Sequence, residues 1–434
     1  MIEPLTPNTQ AILLLTAPLI AGRAQTSRDL LSLGEYNRLA RTLRDKQKQP
    51  ADLIGSDANE LIELCSEPFC RARLDALLGR GFLLSQAVQY WNARAIWVIS
   101  RADVAYPKRL KSRLKEYAPP LLYGCGEIAL LQKGGLAVVG SRHVDDALIS
   151  FTETVGRISA EAHRSIVSGG AKGIDRAAMC GALLAGGDVA GVMADSLERG
   201  ALARDNREPL MEGRLVLISP YDPAAGFNVG HAMQRNKLIY ALADAALVVT
   251  SDFEKGGTWA GAIEQLERLH FVPVFVCNGA HSGKGNSALL HRGGKPWPNP
   301  KCANEFDAAF VAAIESVATE LKQGTLPLTV GDETVAIEVT STVQRIEPAV
   351  KSDEPSTHLS QVSPDAELFD AVRAVLEKVL VTPRSDEEIA NILAVTKPQA
   401  KAWLVRLVEA DFLEKITEPK PVRYRISKAN LRLL

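Results

Sequence analysis

Little in this chain is extreme, and each missing extreme removes a class of protein. The net charge is −1, so no global basic field draws in nucleic acid, and any such binding rests on local patches. No apolar run is long enough to span a bilayer, and the amino terminus lacks the basic flank of a signal peptide. A cytoplasmic protein with no membrane partner is expected. The 6 cysteines, Cys65, Cys70, Cys125, Cys180, Cys277 and Cys302, show neither paired metal-ligand spacing nor the density of a disulfide framework. Reduced thiols and no metal site are expected. The chain also lacks G-x-G-x-x-G, and Lys172 in the loop Gly169 to Gly173 is not followed by the Ser or Thr of a Walker loop. No cofactor is expected.

What is present is an ordinary globular composition, 46% hydrophobic and 23% charged over 434 residues, enough for about three domains. The run from Leu136 to Asp175 organises the rest. Leu136 to Val139 is a short buried strand that ends in Gly140-Ser141-Arg142. A helix follows from about Asp146 to His163, with Leu148, Phe151, Val155, Ile158 and Ala162 at helical spacing. Ser165 to Ser168 is a second strand, and Gly169-Gly170-Ala171-Lys172-Gly173 opens a second helix near Asp175. That alternation is a βαβ unit of a parallel sheet, and ligands of such sheets sit beyond the carboxyl ends of the strands, among helix amino termini. Arg142 and Lys172 each lie just past such an end, and the glycines let amides approach an anion. The alternative reading of either loop is a tight turn that merely needs positive φ.

The alternation continues through strands at Asp188–Met193, Leu215–Ile218, Ala246–Thr250 and Val272–Cys277, preceded by one at Ala95–Ile99. A loop holding Arg199, Arg204, Asp205, Asn206 and Arg207 separates two of them. A helix is expected to start at Gln234, with Arg235 and Lys237 in its first turn, a sign that a bound anion would correct. Lys255-Gly256-Gly257-Thr258 is another strand-to-helix loop. Residues 1–95 read as a helical domain: Thr6-Pro7-Asn8-Thr9 is a cap before Ala11 to Leu15, and Arg28 to Arg44, Ala58 to Leu64 and Phe69 to Tyr90 continue it. Its leucine stripe is core, with no chemistry assigned.

Several ordered motifs carry a resemblance over roughly Tyr106 to Gly294: YPKRL, PPLLYGCG, VVGSR, SGGAKGID, RNKLI, then ALVVTSD before GGTWAGA. Together they resemble the DNA processing protein A (DprA/Smf) family. The resemblance implies an extended Rossmann-like domain over residues 96–320, a homodimer through that domain, single-stranded DNA as ligand, and in transformation a RecA-type recombinase as partner. No catalytic residue is assigned. Phosphate contact or positioning is expected of Gly140, Ser141, Arg142, Ser168, Gly169, Gly170, Lys172, Gly173, Arg235, Asn236, Lys237, Gly256, Gly257 and Thr258. The family usually has SGLARGID, whereas Gly170 and Lys172 replace Leu and Arg here, and Ala178-Met179 stands where Ala-His is expected. Lysine keeps the charge but loses the bidentate fork. Ala232-Met233 replaces a Phe-Pro that the family often carries before its RN pair, so an aromatic platform for a base is missing there.

Two other readings stay open. DprA-like proteins with extra domains act as toxin partners or neutralisers in phage-defence systems. GGTWAGAIE also resembles the phosphate loop of the LOG nucleotide phosphoribohydrolases, in which Glu264 would assist cleavage of a nucleoside monophosphate.

Residues 321–364 read as a flexible linker, with a short strand at Val335–Val339. Residues 365–434 then suggest three helices, Leu368–Leu380, one capped by Ser385 and one opened by Pro398, followed by a hairpin of Phe412–Ile416 and Val422–Ile426. That is a winged helix, which relatives of the family frequently carry. Lys397, Gln399, Lys401 and Arg406 on the third helix, with Arg423 and Arg425 on the wing, suit duplex phosphates; docking to a protein is the equal alternative. The fold class expected is α/β: a Rossmann-like parallel sheet with an amino-terminal helical region and a carboxyl-terminal winged helix.

Overall fold

A computed structural model describes residues 4–19, 29–55, 58–65, 69–279, 284–323, 383–392, 404, 408, 413–416 and 423–426. The chain divides into two compact units, residues 1–339 and 340–434. Among the described residues, no helix is long and apolar enough to cross a membrane.

The first unit is built on nine strands: β1 (Trp97–Ser100), β2 (Leu121–Gly126), β3 (Leu136–Val139), β4 (Ile166–Ser168), β5 (Val189–Val192), β6 (Leu215–Ser219), β7 (Ala245–Val248), β8 (Val274–Val276) and β9 (Lys295–Pro296). Their order is β1-β2-β6-β5-β4-β3-β7-β8-β9. Every pairing from β6 to β9 is parallel, while β2 runs antiparallel to both β1 and β6. From β3 the chain winds outward through β4, β5 and β6, then returns to the other side of β3 as β7. The direction of winding therefore reverses between β3 and β7.

Alternation along the strands sends Leu136, Val138, Leu215, Leu217 and Leu247 into one apolar layer and Ala137, Val139, Val216, Ile218 and Val248 into the other. Burial on both faces explains why these strands read as continuous apolar runs. Strand β2 escaped that reading because its sequence, LLYGCG, is interrupted by glycine. Gly124 is glycine because the Trp97 ring lies across it; a Cβ there would come within 2.4 Å of the ring.

Fourteen helices are described in this unit. Five precede the sheet: α1 (Pro7–Thr16), α2 (Leu33–Asp45), α3 (Ala58–Leu64), α4 (Arg71–Leu78) and α5 (Gly81–Asn92). The continuous pattern expected from Phe69 to Tyr90 is split at Gly79-Arg80, and α2 starts at a capping box between Ser32 and Glu35. These helices do not stand apart from the sheet. Ile12, Leu13, Leu39 and Trp91 share one apolar cluster with Tyr123, Leu136 and Leu215. Thr9 is fully buried and donates to Ser100 Oγ at 2.8 Å, in a network with Asp103 that bolts α1 to the end of β1.

The other nine are α6 (Lys108–Leu114), α7 (Asp146–Glu161), α8 (Ile174–Leu184), α9 (Leu197–Leu202), α10 (Arg204–Met211), α11 (Val229–Leu242), α12 (Gly256–Glu264), α13 (Lys284–His291) and α14 (Ala303–Gln323). The segment holding Arg199 to Arg207, expected as loop, is helical because Leu197 and Pro209 bury themselves against the sheet. Helix α14 runs past residue 321, the expected start of the linker, anchored by Phe306, Phe310 and Ala313 in the core. The rest of the linker and its expected strand lie outside the described residues.

Helix α11 bears on everything below, and its carboxyl end is held by α6. Arg113 donates through Nη1 to the carbonyl oxygens of Ala241 at 3.0 Å and Ala243 at 2.6 Å. These are groups that the helix end would leave unpaired. Arg113→Ala is expected to cost about 2 kcal/mol, the worth of charged hydrogen bonds to buried carbonyls, read as a lower denaturant midpoint of the first unit.

In the second unit, β10 (Arg384–Ser385), β12 (Arg423–Ile426) and β11 (Leu413–Ile416) form an antiparallel sheet in that order, beside α15 (Asp386–Ile392). Ser385 and Glu388 form the expected cap: Ser385 Oγ accepts from Glu388 N at 3.3 Å, and Ser385 N donates to Glu388 Oε2 at 2.8 Å. The helix expected at Leu368–Leu380 and most of the one after Pro398 lie outside the described residues.

Candidate nucleic-acid interface

Where winding reverses, neighbouring connections leave in opposite directions and open a crevice beyond the strand ends. At the end of β3 the chain enters Gly140-Ser141-Arg142, and at the end of β7 it enters Thr250-Ser251-Asp252. The two exits are tied by Val249 N to Val139 O at 3.0 Å and Ser141 N to Thr250 O at 3.2 Å. A cleft of about 620 Å³ opens there, walled by Arg142, Phe227, Met233, Asp252, Lys255 and the start of α12. A second hollow of about 530 Å³ adjoins it beyond β4, with Lys172, Asp195 and Met193 in its wall. Arg142, Ala171, Phe227 and Arg235 line both, so the two form one groove. Arg142, Lys172 and Arg235 thus share a rim.

The loops of this rim are fixed by one carboxylate. Asp175, in the first turn of α8, is 6% exposed and accepts backbone hydrogen bonds from Ala171, Gly140 and Gly169. Arg235 Nη1 lies 3.8 Å from Asp175 Oδ2, with both side chains buried. Burial pushes the Asp175 carboxyl above the usual carboxylate range, and Arg235 and the three amides oppose that rise. Gly169 makes the pair possible, since a Cβ at that position would sit 1.4 Å from Arg235 Nη1. Gly173 has φ +84° and packs its α-carbon against the carbonyls of Ser141 and Arg142, a conformation that L side chains rarely adopt.

Helix α11 begins at Val229, capped by the Asn228 side chain, which accepts from His231 N. Arg235 and Lys237 therefore lie in its second and third turns rather than its first, and the expected clash with the helix dipole does not arise. Several residues expected at phosphates are occupied elsewhere. Ser168 is fully buried and donates to Val138 O at 2.6 Å. Asn236 donates to Gly257 O at 3.0 Å and Thr258 to Gly140 O at 3.0 Å. These two bonds clamp α12 to α11 and to the end of β3. Lys237 pairs with Glu264 at 2.9 Å in a separate hollow with Glu267 and Arg268. Glu264 therefore does not meet Arg142 and Lys172, as nucleotide cleavage would require.

The groups left at the groove are the side chains of Arg142, Lys172 and Lys255, for which no ion pair forms among the described residues, and the amino terminus of α12. No side chain caps that terminus, and Gly256, Gly257 and Thr258 line the cleft there. Gly140, Ser141 and Gly170 also line it or the adjoining hollow. Unpaired amides and cations around one concavity suit an anion.

Phe227 went unnoticed in the sequence. It stands eight residues before Arg235 of the RN pair, ahead of the Ala232-Met233 position expected to need an aromatic, and lines both halves of the groove at 56% exposure. The Arg142 guanidinium carbon lies 5.1 Å from its ring centre. Val229 and Met233 are also exposed beside it. Of the residues expected on the winged helix, Lys397, Gln399, Lys401 and Arg406 lie outside the described residues. Arg423 and Arg425 sit on β12, opposite Ile416 and Glu414.

The family described as DNA recombination-mediator protein A matches residues 97–302. DNA processing protein DprA of Bacillus subtilis (strain 168) is 29% identical over 192 residues, 43% of this chain and 62% of that protein. DNA processing protein DprA of Streptococcus pneumoniae is 30% identical over 169 residues, 38% of this chain and 60% of that protein. The aligned region spans about three fifths of these curated relatives. The X-ray structure of DNA processing protein A from Streptococcus pneumoniae superposes with a TM-score of 0.50 at 23% identity, covering 70% of this chain and 98% of that one. That likeness shows the shared fold.

Proposed function

We propose, from the match of residues 97–302 to the DNA recombination-mediator protein A family, that this protein binds single-stranded DNA in the groove between the ends of β3, β4 and β7. One observation carries the reading: Arg142 and Lys172, from two different loops, share a rim with the buried Arg235. A polyanion satisfies Arg142 and Lys172, while Asp175 faces Arg235. The exposed Phe227, Val229 and Met233 beside the cations favour a single strand, whose unstacked bases offer faces that a duplex hides.

Fluorescence anisotropy with short unpaired and duplex oligonucleotides tests it. The unpaired strand is expected to bind more tightly, and Arg142→Ala to weaken it about ten-fold or more, in line with the loss of a charged contact. Lys237 is neutralised by Glu264 and Arg235 faces Asp175, which leaves Arg142, Lys172 and Lys255 to meet phosphates. Log K should then fall with log salt at a slope near −2, about 0.7 for each cation. A flat salt response, or a preference for duplex, would sink the reading.

The same reading takes the protein as a binder rather than an enzyme, acting in DNA processing or uptake. It includes a homodimer through the first unit, delivery of the strand to a RecA-type recombinase, and a winged helix in residues 365–434. Light scattering of the intact chain, and strand exchange with and without it, test the first two.

A further inference from the structure

Residues 221–231 form a loop with a closed neck. Tyr221 at one end and His231 at the other stack ring on ring, with centroids 3.7 Å apart and planes 11° from parallel. The Tyr221 hydroxyl also donates to His231 O at 3.3 Å. The near half of the loop rests on α9, where Ser196 N donates to Ala225 O at 2.9 Å and Glu198 N to Pro223 O at 3.0 Å. The far half, Gly226 to Gly230, is exposed throughout and carries Phe227 to the rim of the groove, against Arg142. Compact loops whose ends meet are held by their own side chains, and here that contact is the stack.

The neck suits a neutral imidazole. Nδ1 of His231 is buried and makes no hydrogen bond among the described residues, so an imidazolium would carry a buried N–H there with no acceptor. His231 also stands in the first turn of α11, the positive end of that helix, with Arg235 one turn further on. The carboxylates of the packed elements are Asp195 and Glu198 around the start of α9 and Asp222 on the loop. Glu198 is committed to Arg94 and Tyr90, Asp222 accepts from Ala224 N, and Asp195 lines the groove. The face of Tyr221 attracts a cation, but burial prevails and holds His231 below the ordinary imidazole value.

We propose that Tyr221 and His231 are positioning residues for the groove, an acid-sensitive clasp that keeps Phe227 beside Arg142 while His231 is neutral and frees the loop tip when it takes a proton. The inference rests on the reading of the groove as a site for single-stranded DNA. A base whose folded value is depressed weakens the closed neck once pH falls below its unfolded value of about 6.5, by at most about ten-fold for each pH unit.

The test uses the full chain, its His231→Phe variant and a short thymidine strand, read by anisotropy on either side of that pH, at about 7.5 and about 5.5. Phenylalanine keeps the stack without the proton, so at the higher pH the variant is expected to bind within about two-fold of the native chain. At the lower pH the native chain should bind roughly three- to ten-fold more weakly than the variant. Proton uptake at His143, Asp195, Asp222, Asp252 and Glu254 is common to both proteins and cancels in that ratio. Tyr221→Ala, which removes the stack, should weaken binding at both pH values. Hydrogen exchange over residues 221–231, corrected for its intrinsic pH dependence, reads the neck without DNA and should rise on acidification in the native chain only. A native-to-variant affinity ratio that does not move with pH, or exchange that does not rise in the native chain, overturns the clasp and leaves the single-strand reading intact. Weak binding by a His231→Phe variant of native thermal melting at the higher pH overturns the stack as the positioning contact. Absence of binding by the native chain at the higher pH overturns both readings.

Discussion

Arg235→Met is expected to lower the stability of the first unit by about 3 kcal/mol near neutral pH, the scale of a buried ion pair losing one partner. Methionine fills much of the same space, so the loss reports on charge. Asp175 would be left 6% exposed with three amides but no cation. The carboxyl is already held above the usual range by burial, with Arg235 pulling against that; removing Arg235 raises it further. A carboxyl whose folded-state value exceeds its unfolded one costs stability as pH rises from about 4, and the cost disappears below that. The gap between native chain and variant should therefore narrow as pH is lowered from 7 and Asp175 takes up a proton. Asp175→Asn combined with Arg235→Met should be less damaging than the sum of the two, by about 1 kcal/mol or more. Urea unfolding at several pH values measures all of this. A variant within about 0.5 kcal/mol of the native chain at every pH would show that the pair does not hold the loops.

Gly181→Val is the second large effect, and it acts from outside the groove. Helices α7 and α8 approach so closely that a Cβ on Gly181 would stand 2.1 Å from Glu153 O, and one on Gly156 would stand 2.3 Å from Ala178 O. Both obstacles are backbone, which cannot swing aside. Overpacking of this kind costs about 3 kcal/mol. Helix α8 carries Asp175 at its start, so pushing it off α7 displaces the carboxylate that ties Gly140, Gly169 and Ala171 together. Single-strand affinity should fall by about ten-fold or more, since misplacing the rim by 1 Å is enough to lose its contacts. Gly186→Ala, at a glycine whose Cβ would meet nothing within 4 Å, is the control: its strain at φ +78° costs about 1 kcal/mol and leaves binding alone. Equal binding by Gly181→Val and the native chain would separate the helix pair from the groove.

The strands of the parallel sheet were legible because burial on both faces leaves only apolar side chains, as in Leu136 to Val139 and Leu215 to Ile218. The two loops after β3 and β4 were legible because glycine and a cation at a strand end are a local signal. Four things were not. Strand β2 is written partly in glycine, for reasons that lie in Trp97, a distant residue. The start of α11 was misplaced because Val229-Gly230-His231 is a poor helix opening on propensity, and only the Asn228 cap rescues it. The sorting of polar residues into those that face the groove and those that hold it together depends on pairs far apart in the chain. Arg235 with Asp175, Asn236 with Gly257 and Thr258 with Gly140 leave no periodic trace. Phe227 sits in an irregular loop, where an aromatic carries no positional signal at all.

Strand β9 is two residues long, Lys295-Pro296, and closes one border of the nine-stranded sheet. Proline offers no N–H to an incoming chain, and a lysine beside it discourages close stacking of like copies. A second molecule cannot continue the ladder at that border. Self-association of this unit there has to be made by side chains across helical surfaces, which leaves it open to single substitutions in a way that main-chain pairing is not.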